Sequence, residues 1–110
     1  MSNVDDDLRG HVLYAQKRLE KLSRKLAQGK YEKLGGYIDG CLDIEVRCGF
    51  DKWYRSAELL LACGGPTIRL DTNNCCISGS WGMDKYELFA DRTVCEAIDE
   101  YLEDFFNENG

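Results

Sequence analysis

Apolar residues along this chain keep two different rhythms, and the switch between them leaves few folds open. From Leu8 to Leu26 they recur at Leu8, Val12, Ala15, Leu19, Leu22 and Leu26, in steps of four and three. That spacing lines one face of a helix, which predicts a long helix over residues 5–29. Asp5, Asp6 and Asp7 suit its positive end, with Asn3 or Asp5 as the cap, and Lys21, Arg24, Lys25 and Lys30 suit its negative end. Gly29 is a stop signal; otherwise the helix continues to Leu34 before Gly35-Gly36 ends it.

From Tyr37 onward the rhythm becomes two. Leu42, Ile44, Val46 and Cys48 alternate with Cys41, Asp43, Glu45 and Arg47, as in a strand with one dry and one wet face. Further strands are expected over residues 53–63, 67–71, 75–81 and 85–90. They are separated by Gly49-Phe50-Asp51-Lys52, Gly64-Gly65-Pro66, Thr72-Asn73-Asn74 and Gly82-Met83-Asp84. A second helix is expected over residues 91–107, its apolar stripe being Val94, Ala97, Ile98, Tyr101, Leu102 and Phe105 and its cap Asp91 or Thr93. Turns this short join antiparallel neighbours. The chain therefore reads as one α+β domain over residues 1–110. A long N-terminal helix and a C-terminal helix cover one face of a five-stranded antiparallel meander.

The charge is unevenly spread. The net charge is −6, yet residues 9–33 carry eight Lys/Arg against Glu20 and Glu32, while residues 84–110 carry nine Asp/Glu against Lys85 and Arg92. No apolar run approaches the roughly 20 residues of a membrane span. The opening MSNVDDDLRG lacks the basic-then-apolar layout of a signal peptide. These features predict a cytoplasmic protein with no membrane partner, whose six cysteines are free thiols.

The cysteines stand at 41, 48, 63, 75, 76 and 95, with no Cys-x-x-Cys, and His11 is the lone histidine. Adjacent residues of a strand point to opposite faces, so Cys75 and Cys76 are expected to face opposite ways rather than share an ion. No metal and no cofactor is expected. A catalytic cysteine needs a nearby base, and His11 lies on a basic helix. The Gly64-Gly65-Pro66 turn lacks the lysine and following helix of a phosphate loop. The residues point to no enzyme and to no catalytic residue.

Binding surfaces remain. Glu96, Asp99, Glu100, Glu103 and Asp104 are expected on the outer face of the C-terminal helix, where they would meet a basic partner groove. Lys17, Arg18, Lys21, Arg24 and Lys25, extended by Lys30 and Lys33, form the alternative, a basic stripe suited to phosphates or an acidic partner. The plainer reading is that the two helices lie side by side and pair their charges. The uncovered sheet face is a third candidate, expected to show some of Trp53, Tyr54, Arg55, Arg69, Trp81 and Tyr86. The six-position seam of the first helix would also serve a homodimer, the alternative being a monomer.

The Gly64-Gly65-Pro66 turn before Ile68-Arg69-Leu70-Asp71-Thr72, the Trp81 strand and the closing Ala97-Ile98-Asp99-Glu100 helix resemble small acidic accessory proteins of phages and mobile elements of Gram-positive bacteria. These include inhibitors of bacterial defence such as anti-CRISPR proteins. The resemblance leaves out the basic first helix. It implies a non-enzymatic inhibitor acting in the host bacterial cytosol on a host protein or nucleoprotein complex. The alternative is a small nucleic-acid-binding or regulatory module that uses the basic helix.

Overall fold

In the computed structural model, which describes the backbone of residues 3–109 and the side chains of residues 7–108, the first rhythm becomes α1 (Asn3–Ala27). All of Leu8, Val12, Ala15, Leu19, Leu22 and Leu26 are buried. The seam is thus consumed by the chain's own core, and a dimer built on it would have to open that core. The Asn3 or Asp5 cap lies outside the described side chains. At the other end Gly29, with φ 81°, lets Lys30 N–H reach Lys25 C=O at 3.0 Å and Gly29 N–H reach Leu26 C=O at 3.0 Å. That is the paired closure of a Schellman end.

A short helix then appears where the sequence suggests a break: α2 (Glu32–Asp39) runs straight through Gly35-Gly36. Each glycine costs about 0.5–1 kcal/mol relative to alanine in a helix interior. Burial of Leu34 and Ile38 holds the turn together. Gly35 lies beside Tyr101 of the C-terminal helix, where a Cβ would make ordinary contact at 3.5 Å from the Tyr101 hydroxyl.

The strands β1 (Asp43–Cys48), β2 (Tyr54–Ala62), β3 (Thr67–Asp71), β4 (Cys76–Trp81) and β5 (Asp84–Phe89) follow, and α3 (Arg92–Asn109) closes the chain. The sheet is antiparallel, in the order β1-β2-β3-β4-β5. Its register aligns Ile44, Leu59, Leu70, Ile77 and Leu88 in one row across all five strands. This row faces the helices, and each fully buried member contributes roughly 1.5–3 kcal/mol of hydrophobic stabilisation. Asp91 caps α3, its carboxylate accepting Val94 N–H at 3.1 Å. Gly82, φ 63°, opens the two-residue loop between β4 and β5, as a II′ hairpin requires.

α1 crosses β4 at Gly79. A Cβ there would stand 2.5 Å from Val12 Cγ2 and 2.9 Å from Leu8 Cδ1, so only glycine lets the helix sit this close. Trp81 and Tyr86, two of the candidates for the open face, lie on the helix side. Trp81 meets His11 edge to face at 6.4 Å, and Tyr86 lies under Arg9 at 5.3 Å. Tyr54 is buried against Phe106 of α3. The open face carries mostly charge, with Phe89 exposed at the end of β5. The neighbouring carboxylates Glu58 and Asp71 are bridged by Arg47, at 2.7 Å and 2.9 Å, and Arg69 adds a contact to Glu58 at 3.2 Å.

Candidate binding surfaces on the charged helices

A helix turns 100° per residue, and α3 uses that to sort its side chains. Val94, Cys95, Ile98 and Leu102 are buried against the sheet. Asp99, expected to face outward, points inward at one flank. It accepts the Tyr54 hydroxyl at 2.6 Å and the Thr72 hydroxyl at 2.7 Å. Thr72 Oγ1 in turn accepts Ala57 N–H at 2.9 Å. Burial first, and then the Asp99 carboxylate, push the Tyr54 phenol well above its usual pKa. Asp99 is therefore a structural acceptor, and the outward set reduces to Glu96, Glu100, Glu103 and Asp104, all exposed.

The opposite flank of α3 carries Tyr101 and Phe105, expected in the core but 39% and 60% exposed. They line a groove of about 340 Å³ with Leu102, Ile38 and Asp39 of α2, Cys41, and Asp43 and Ile44 of β1. By helical geometry Glu100 and Asp104 flank the two aromatics, whereas Glu96 and Glu103 lie on the far side, near Asp99. The groove thus has an apolar floor and a carboxylate rim. Beside it runs β1, an edge strand with β2 as its one neighbour in the sheet.

The basic residues gather elsewhere. Lys17, Arg18, Lys21, Lys25 and Lys33 line a groove of about 650 Å³ between α1 and α2, with Glu32 as its one carboxylate and Tyr14, Leu22, Gly36 and Tyr37 completing it. Arg24 is exposed on α1 and does not line it. Lys25 is held below the usual lysine pKa, by the charge of Lys21 first, then by partial burial, then by Lys33 and Lys30. Arg18 lies 5.9 Å from the Tyr14 ring and 5.6 Å from the Tyr37 ring. Among the described residues the ion pairs belong to Arg47, Arg55 and Arg69. None of these joins α1 to α3 among the described residues, and the expected cross-helix neutralisation gives way to two separate charged surfaces.

The cysteines divide by environment. Cys75 sits in the turn before β4 with φ 54°, so the left-handed residue of this turn is a cysteine rather than Asn73 or Asn74. It is buried with its sulfur 3.0 Å from that of Cys95, while Cys76 faces outward, 3.6 Å from Glu87. Burial first, and then Cys75, raise the Cys95 thiol pKa. Cys41 shares a cavity of about 220 Å³ with His11. Burial pushes the Cys41 thiol up to about 11, the reverse of nucleophile activation. His11 Nδ1 lies 2.7 Å from the Asp7 carbonyl. Among the described residues no group of three His, Cys, Asp or Glu could hold a metal, and no helix is long and apolar enough to cross a membrane.

Comparisons with protein families, with curated proteins and with solved structures give no match.

Proposed function

We propose that the protein is a non-enzymatic binding protein that docks a basic segment of a host nucleic-acid-handling protein on the α3 groove and so blocks it. The observation that carries this reading is the exposed Tyr101–Phe105 pair, set over an apolar floor between Glu100 and Asp104 on one side and the open β1 edge on the other. Aromatic centres with a polar rim concentrate binding energy. An open edge strand offers main-chain hydrogen bonds to an extended partner segment, whose alternate side chains would enter the groove. The carboxylate rim selects a partner with Lys or Arg around an apolar anchor, and long-range attraction speeds its encounter. Surfaces that handle nucleic acid have that chemistry, which agrees with the anti-defence role the sequence resemblance implies.

The test compares capture of host proteins from a bacterial lysate by the wild type, by Phe105→Ala and by Glu100→Lys with Asp104→Lys, followed by assay of the captured protein's nucleic-acid activity. Loss of an aromatic anchor costs about 2 kcal/mol or more, roughly a 30-fold weakening. Asp99 stays unchanged, because its removal would perturb the fold. A captured, inhibited partner that both variants bind as tightly as the wild type would overturn the site.

A further inference from the structure

We propose that the groove between α1 and α2 binds single-stranded nucleic acid, with its phosphates on the lysines and a base against Tyr14. The inference is independent of the α3 groove, which lies on the other side of α2.

Five cations converge on one concavity that holds a single carboxylate, and among the described residues none of the five takes part in the ion pairs of Arg47, Arg55 and Arg69. In the free protein these like charges act against one another, as the lowered pKa of Lys25 reflects. A polyanion removes that repulsion and releases its own condensed counterions. Lys17, Lys21 and Lys25 stand one helical turn apart, about 6 Å, comparable to the separation of successive phosphates in an extended strand. Tyr14 is 64% exposed at one end of this row, with Arg18 over its ring. Arg18 lies between Tyr14 and Tyr37, adding a planar cation to the same wall.

Shape selects a single strand over a duplex. A helix that reads duplex DNA must project into the major groove. α1 lies flat on β4 and β5, and its basic face is walled by Lys33, Gly36 and Tyr37 of α2. A narrow chain fits between the two helices.

Fluorescence anisotropy with a labelled thymidine oligonucleotide of roughly 12 nucleotides, within the range of single-strand sites, tests the proposal. Four lysine–phosphate contacts give a slope of about −3 for log K against log salt, and each of Lys17→Gln, Lys21→Gln and Lys25→Gln reduces it by about 0.7. Tyr14→Ala weakens binding roughly five- to 150-fold through lost stacking, with circular dichroism confirming the fold. Lys85→Gln, on the open sheet face, leaves binding unchanged. Absence of binding at low salt overturns the proposal. So does equal affinity for a duplex, or equal competition by polyphosphate or polyglutamate, which would show an anion site indifferent to bases.

Discussion

Replacing Gly79 by alanine tests the helix-on-sheet contact that positions both surfaces. The added methyl would lie 2.5 Å from Val12 Cγ2, 2.9 Å from Leu8 Cδ1 and 3.0 Å from Ile68 Cδ1. Val12 is β-branched and fully buried in a helix, where it has one strongly preferred rotamer, so it relieves the overlap only if α1 moves. Overpacking of this kind costs roughly 1–3 kcal/mol. Alanine recovers about 0.5–1 kcal/mol of the strand penalty of glycine. The net loss is about 1–2 kcal/mol, which lowers Tm by roughly 5–15 °C in a domain near this size. Val12→Ala alone removes two buried carbon groups and costs about 1.6 kcal/mol at 0.8 per group. It also makes room for the new methyl. Urea denaturation of the four proteins of the cycle, followed by circular dichroism, should place the double variant close to Val12→Ala. Additivity within about 0.5 kcal/mol would refute the contact.

Asp99→Ala leaves the Tyr54 and Thr72 hydroxyls without their charged acceptor, and at about 1.5–3 kcal/mol per such bond the loss should reach roughly 3 kcal/mol or more by urea titration. Tyr54→Phe should cost less by the same titration, because it removes one donor and leaves Asp99 accepting the Thr72 hydroxyl. In Asp71, burial raises the carboxyl pKa, but the Arg47 hydrogen bond and the Asn73 and Asn74 amides outweigh it and hold it below the usual value. A depressed carboxylate contributes stability above the unfolded pKa near 3.9, and that contribution is lost as pH falls through the folded value. Urea midpoints should therefore drop below about pH 4, and the drop should be shallower in Asp71→Asn; parallel curves would refute the assignment. Thiol titration of native protein should find Cys48 and Cys63 reactive, with Cys75 and Cys95 silent until unfolding, since the first two are exposed and the latter two buried.

Periodicity carried most of the fold. The α1 seam is buried at every position read from spacing, and Thr67–Asp71 is a strand to the residue, because Gly64-Gly65-Pro66 before it and Thr72-Asn73-Asn74 after it enforce its ends. α2 was hidden because Gly35-Gly36 is a stop signal by propensity, and only the burial of Leu34 and Ile38 in the folded core shows that the helix runs through it. The site was legible in part. The basic stripe could be read as a helix face, but its conversion into a groove depends on α2. Asp99 sits between Ile98 and Glu100 in a run of acids, and nothing local distinguishes it from its neighbours; its partners Tyr54 and Thr72 lie 45 and 27 residues away. Tyr101 and Phe105 fit an apolar stripe one position too wide for the space between α3 and the sheet. Trp81 and Tyr86 were ambiguous until the register fixed which alternate residues face the helices.

The eight residues of α2 are a wall shared by two rooms. Lys33, Gly36 and Tyr37 face the basic groove, while Ile38 and Asp39 face the apolar one. An occupant that displaces this helix from either side alters the volume on the other. Linkage then makes the effect mutual: whatever factor a strand of phosphates imposes on affinity at Phe105, a segment seated at Phe105 imposes on the phosphates. Gly35 and Gly36, at the centre of that wall, are its residues of lowest helix propensity, so alanine at either would stiffen the element through which such an effect would pass.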